Sequence, residues 1–208
     1  MKKKPYINIQ VYIKQMNRAV FTTNELVAVS GKSSSAVTQA LNNLARQGLI
    51  NKVYRGIWAE SGGRVSAYSI IPFLLPRQRV YVSFVCALHL YGIIEQIPRV
   101  ITLASTAHTR SIKTALGTFA VHQITPELFS GFDWYRGGEG PFLIAEPEKA
   151  LIDSLYLSAH KKKQFGHFPE MDLTKGFSFS KCRQWAKKIR SPRVRLYVER
   201  KLEYLKGA

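Results

Sequence analysis

Acid is scarce in this sequence. Its 208 residues hold 13 Asp and Glu against 31 Lys and Arg, a formal net charge of +18. The imbalance is uneven. Residues 1–75 carry net +8, residues 76–160 are neutral, and residues 161–208 carry net +10. Two basic ends flanking a neutral middle point to a polyanionic partner, because neutralising phosphates releases counterions and dominates non-specific affinity. Cysteine is also scarce. Cys86 and Cys182 stand far apart, which excludes a disulfide framework and any CxxC metal spacing. Both are expected to be reduced in a cytoplasmic protein. Long apolar runs are missing as well. Asn8, Gln10, Lys14 and Gln15 break the stretch after Lys2-Lys3-Lys4, so no signal peptide is expected there. No window approaches the ~18 apolar residues of a membrane span, and no membrane partner is expected.

The usual marks of catalysis are absent too. GxxxxGK[ST], GxGxxG, GxSxG and HExxH do not occur, and the five histidines show no ligand spacing. Gly137-Gly138-Glu139-Gly140 lacks the lysine of a phosphate cradle, and Glu139 would repel phosphate. Cys86 lies in an apolar helix, a setting for packing rather than nucleophilic attack. Glu146, Glu148 and Asp153 cluster near one helix, as carboxylates of a metal-dependent nuclease would. Acids in a first turn also complement the helix dipole, and Lys149 adjoins them as an ion-pair partner. No enzyme, catalytic residue, metal site or cofactor is expected.

What is present is patterning. Ile9, Ile13 and Met16 mark one face of a helix from roughly Tyr6 to Arg18, with Val20 following. Thr22 and Glu25 have the spacing of a capping box for a short helix, about Thr23 to Val29. Ser30-Gly31 stops it, and Ser33 or Ser34 caps a third helix running to about Gln47. Two helices joined by a turn of about four residues containing glycine read as a helix-turn-helix. In the third helix Val37, Ala40, Leu41 and Leu44 form the core stripe. The opposite face carries Ser35, Gln39, Asn42 and Arg46, with Thr38 and Asn43 beside them and Ser34 at the start. It holds no acid. Amides and Arg can read base edges, while Ser and Thr can hold phosphates.

Gly48 ends that helix. Residues 49–54 read as a strand, Arg55-Gly56 as a turn, and Ile57-Trp58-Ala59 as the return strand. A hairpin directly after a recognition helix is a wing. With the helix in a major groove, the hairpin tip reaches the adjacent backbone, and Lys32, Lys52 and Arg55 are the expected phosphate contacts. A winged helix can also serve to bind protein alone, but the +8 charge and the acid-free face favour double-stranded DNA.

Leu75 to Arg79 reads as a linker between residues 1–75 and 76–208. Beyond it, Ser83 is expected to cap a helix through Tyr91. Strands are expected at Val100 to Ala104, Gly117 to Ile124 and Phe142 to Ala145, with a loop from Asp133 to Gly140. Glu146 is expected to cap a helix with Pro147 at its first position, a favoured site for proline. Two basic helices follow, about Ser180 to Ile189 and Pro192 to Leu205. The expected class is α+β: a winged helix-turn-helix followed by a mixed α/β domain ending in helices. The basic tail, with Lys161-Lys162-Lys163 and Lys181 to Lys201, fits a solvated face, a second DNA contact or a dock for an acidic protein.

The order of pieces resembles the AbiEi-type antitoxins of bacterial abortive-infection toxin–antitoxin pairs. The resemblance lies in Tyr54-Arg55-Gly56-Ile57-Trp58, then Tyr81-Val82-Ser83, Ala87-Leu88, Tyr91-Gly92 and Gln96-Ile97-Pro98. Its most specific stretch is Ile144-Ala145 with Pro147 to Asp153. It covers about residues 20 to 160. The resemblance implies a transcriptional autorepressor that binds operator repeats upstream of its own operon. It also implies a C-terminal antitoxin domain countering a nucleotidyltransferase-like toxin, in the setting of phage defence. It adds no catalytic residue, and the strength of the basic tail departs from it. Two other readings stay open: a winged-helix regulator whose second domain senses a small ligand, and a nuclease guided by the winged helix.

Overall fold

A computed structural model of the chain describes residues 8–62, 65–138, 140–160, 170–173 and 176–207. Lys2 to Lys4, the expected helix start at Tyr6, Glu139, Lys161 to Lys163 and His167 lie outside the described residues. The protein is mixed α/β, with eight α-helices and two sheets among those residues. None of the helices is long and apolar enough to cross a membrane. The chain divides into two compact units. One runs to Leu74 and includes Thr114–Leu116; the other comprises Leu75–Lys113 and the chain from Gly117 onward.

The first unit is built from α1 (Ile9–Met16), β1 (Val20–Thr22), α2 (Thr23–Ser30), α3 (Ser34–Arg46), β2 (Ile50–Tyr54), β3 (Ile57–Glu60) and α4 (Ile71–Leu74). Asn8 starts α1 by accepting from the Gln10 amide, and Asn17 ends it in the left-handed conformation. Val20 does not extend that helix. It lies in β1, opposite Ala59, and the three strands order as β1–β3–β2. The core draws on the first three helices: Ile9 and Ile13 from α1, Leu26 from α2, then Val37, Leu41 and Leu44 from α3, closed by Phe21, Ile50 and Trp58. The 3.6-residue spacing of those apolar positions is what makes the helices amphipathic.

The second unit adds β4 (Tyr81–Val82), α5 (Phe84–Leu90), β5 (Val100–Ser105), β6 (Arg110–Thr114), β7 (Gly117–Gln123), β8 (Phe132–Trp134) and β9 (Leu143–Ala145). Helices α6 (Pro147–Ala159), α7 (Phe179–Lys187) and α8 (Pro192–Gly207) complete it. The sheet orders β6–β7–β5–β4–β9–β8. It is mixed, with β5 parallel to β7 and β4 parallel to β9, while β4–β5 and β8–β9 are antiparallel. The segment expected as a loop from Asp133 is therefore partly strand: Phe132, Asp133 and Trp134 pair with Ala145, Ile144 and Leu143. The pairing supplies what local propensity did not.

Helix α6 is buried on nearly all sides, with α5, α7 and α8 packed against it. Glu146 and Ser83 occupy the N-cap positions of α6 and α5, yet neither side chain makes the capping hydrogen bond. Ser83 Oγ instead donates to Asp153 across 2.8 Å. Just after it, Phe84 adopts φ 61°, a left-handed conformation that costs a bulky residue roughly 1–2 kcal/mol. Full burial of its ring holds it there.

Candidate nucleic-acid interface

The joint between α3 and the β2–β3 hairpin is fixed by short bonds. Gly48 N–H donates to Ala45 O at 3.0 Å, and Leu49 N–H to Leu44 O at 3.1 Å. Gly48 can do this because φ there is 72°, which glycine adopts without strain. Leu44 and Ile50, on either side of the turn, are both buried in the core. The helix and the hairpin thus share one hydrophobic anchor, so the hairpin is held close to the helix end.

At its other end, α3 is capped by Ser33, whose Oγ accepts from the Ala36 amide at 3.3 Å. Of the two expected caps, Ser33 fills the role. Ser34 becomes the first helical residue and faces solvent. The outward face carries Ser34, Ser35, Thr38, Gln39, Asn42, Asn43 and Arg46, all exposed. Together they line one shallow, open concavity of about 550 Å³. No acid occurs anywhere in α3. Two internal bonds order this face: Ser33 and Ser35 share a hydroxyl contact at 3.1 Å, and Arg46 Nη1 donates to Asn43 Oδ1 at 3.2 Å.

The other three expected residues lie apart from that concavity. Lys32 sits in the turn before α3, half-buried, and its amide donates to Ser30 Oγ at 3.3 Å. Arg55 is exposed at the hairpin turn. That turn is held from behind, because Thr23 N–H donates to Gly56 O at 2.9 Å. Lys52 lies in β2 opposite Trp58, with its ammonium 5.7 Å from the indole centroid. The ladder shifts register between Lys52 and Tyr54. Asn51 and Lys52 are both exposed, so the strict inside–outside alternation is broken here. Lys52 thus covers the buried Trp58 as well as carrying charge.

Sequence reasoning missed one support of this site. Trp58 Nε1 donates to Thr23 Oγ1 at 3.0 Å, pinning the return strand to α2. The two residues are 35 positions apart, so no local pattern announces the bond.

In the second unit two of the three clustered carboxylates, Glu148 and Asp153, have structural partners, while the Glu146 side chain makes no capping bond. Glu148 accepts from the Ser178 amide at 2.9 Å, and Asp153 pairs with Lys149. Among the described residues no group of three or more His, Cys, Asp and Glu side chains is arranged to hold a metal ion. Cys182 is buried, and desolvation with nearby Glu148 pushes its thiol up to about 12. Burial likewise raises Cys86. A thiol held protonated is a poor nucleophile. A cleft of about 610 Å³ is lined by Ile93, Glu95, Gln96, Glu170, Met171 and Asp172, a lining that mixes apolar and acidic groups.

The basic tail is partly self-engaged. Arg183 pairs with Glu203 at 2.8 Å, Arg190 with Glu127 at 2.7 Å, and Lys188 lies 3.9 Å above the Trp185 ring. Lys181, Lys187, Arg193 and Arg200 are exposed. The chain matches no protein-family model and no curated protein.

Proposed function

We propose that this protein is a DNA-binding transcriptional autorepressor with antitoxin activity, and that its first unit is a winged helix-turn-helix domain. One observation carries the DNA-binding part. Seven hydroxyl, amide and guanidinium side chains, with no acid among them, line a single open face of α3. That helix is joined rigidly to a hairpin with Arg55 at its turn. The order α1–β1–α2–α3–β2–β3 supports the winged-helix reading, with α3 as the recognition helix and β2–β3 as the wing. In this reading the α3 face contacts base edges, while Arg55, Lys52 and Lys32 hold phosphates.

The antitoxin part rests on the resemblance of residues 81–153 to AbiEi-type antitoxins. The most specific stretch of that resemblance is the start of α6, where Glu148, Lys149 and Asp153 are buried. Those residues therefore act as a signature of the fold, and a surface meeting a nucleotidyltransferase-like toxin is to be sought among exposed residues. The ligand-sensing alternative has less support, since the cleft beside Ile93 mixes Ile93 and Met171 with Glu95, Glu170 and Asp172, whereas small-molecule sites are lined mostly by apolar groups.

A gel-shift titration against the DNA upstream of the protein's own gene, with scrambled competitor at three salt concentrations, tests the repressor. Binding that survives competitor is expected. Binding that is purely salt-sensitive and indifferent to sequence would reduce the first unit to a generic DNA anchor. Co-expression with a neighbouring nucleotidyltransferase-like gene tests the antitoxin: growth should be restored by the full chain.

A further inference from the structure

The amides on the outer face of α3 are not chemically equivalent. Gln39 and Asn42 are exposed and make no side-chain hydrogen bond among the described residues. Asn43 is different, because its Oδ1 accepts from Arg46 Nη1 at 3.2 Å. A guanidinium carries donors and no acceptor, so Asn43 has to turn its oxygen toward Arg46 and its NH₂ away. The two residues then present donors side by side: the Asn43 amide nitrogen and the remaining N–H groups of the Arg46 fork.

A base edge meeting this pair must therefore accept twice. In the major groove guanine offers N7 and O6, both acceptors. Adenine offers N7 beside the N6 amino group, a donor that would confront the guanidinium, and cytosine offers its N4 amino group. The fork is also restrained before DNA arrives, so less side-chain freedom is lost on binding. Arg46 in a last turn complements the helix dipole as well. That role needs no partner, and a lysine would fill it equally.

We propose that Asn43 and Arg46 act as one unit that reads a guanine in the major groove, Arg46 making the contact and Asn43 acting as its positioning residue. The proposal rests on the DNA-binding reading and adds a base to it.

The test is selection of binding sites from a randomised duplex library with the full chain, followed by competition titrations on the selected site. Wild type should yield a motif with one fixed guanine, preferred over other bases on the order of tenfold to a hundredfold. Arg46→Lys keeps the charge and should leave the salt dependence unchanged while cutting that preference by about tenfold. Asn43→Ala should weaken the preference at the same base pair, whereas Gln39→Ala should alter a different one. These side chains are exposed, so folding of the variants is checked simply by circular dichroism. A guanine preference that survives Arg46→Lys, or an effect of Asn43→Ala at another position, would overturn the pair while leaving the repressor intact. A library from which wild type selects no motif would overturn both.

Discussion

Lys149 and Asp153 stand one turn apart on α6 and form an ion pair in which neither side chain is exposed at all. Asp153 also accepts from Tyr81 Oη at 2.9 Å and Ser83 Oγ at 2.8 Å, and Lys149 donates to Tyr81 Oη at 3.0 Å. Burial lowers the Lys149 ammonium's pKa, and Asp153 opposes that shift. Burial, reinforced by Asp153, raises the Tyr81 phenol, so it stays a donor. The group ties α6 to β4 and to the start of α5.

Breaking this network from one side leaves a buried charge without a partner. Asp153→Ala should lower the stability of the chain by about 3–5 kcal/mol, read as a shift in urea midpoint. Replacing both members, Lys149→Met with Asp153→Leu, should cost clearly less, since apolar groups of similar volume need no partner. Equal losses in the two variants would mean that the hydrogen bonds to Tyr81 and Ser83, rather than the charge, dominate.

Two glycines with similar backbones separate strain from collision. Gly56 has φ 72° and Gly131 has φ 75°. A Cβ on Gly56 meets nothing, whereas one on Gly131 would overlap the Trp185 ring. Gly56→Ala should therefore cost about 1 kcal/mol from backbone strain alone. Gly131→Ala adds overpacking of roughly 1–3 kcal/mol. Thermal melts of the two variants should differ in that order, and a matched pair of melting temperatures would show that the Trp185 ring moves aside freely.

At the start of α2, Thr22 and Glu25 cap each other. Thr22 Oγ1 accepts from the Glu25 amide at 3.2 Å, and Glu25 Oε2 accepts from the Thr22 amide at 2.8 Å. Thr22→Ala should cost about 1 kcal/mol. Desolvation pulls the Glu25 carboxyl upward, but hydrogen bonds from Arg18 and Thr22 outweigh it and hold the group below its ordinary value of 4.5. A depressed carboxylate contributes stability that is present above its unfolded pKa and lost as pH falls through the lower folded one. Glu25→Gln should thus be less stable than wild type near neutrality and converge with it in acid. A constant gap across pH, measured by denaturation at each value, would show that the charge contributes nothing.

Much of the first unit was legible because its signals are local. The capping box is a four-residue spacing, and α3 repeats apolar positions for three turns between a serine cap and a glycine. The candidate interface followed directly, since on an amphipathic helix the face opposite Val37, Leu41 and Leu44 has to be solvent-exposed. What stayed hidden depends on partners distant in the chain. β1 is three residues long and exists by pairing with β3. β8 lies in a segment read as loop and exists by pairing with β9. The Ser83–Asp153 bond spans 70 positions, so a serine that looks like a helix cap turned out to be a donor in a buried network. From its place near a turn Lys52 reads as a phosphate contact; that its ammonium also lies over Trp58 follows only from the strand register.

The division of labour proposed between the β2–β3 hairpin and α3 gives the last prediction. Arg55 sits at the hairpin turn and is not among the residues that line the α3 concavity, so under the proposed reading it is assigned to a phosphate, a contact that carries no sequence information. Arg55→Ala should weaken binding to every duplex by a similar factor and reduce the slope of log affinity against log salt by about one. Gln39, by contrast, is uncharged and is one of the residues that line the α3 concavity. Gln39→Ala should leave the salt slope alone and narrow the gap between the preferred site and a scrambled one. Titrations of both variants on both duplexes at three salt concentrations separate the two effects. If the variants behave alike at every site and salt concentration, α3 and the hairpin do not divide reading from anchoring, and the assignment of the two faces is wrong.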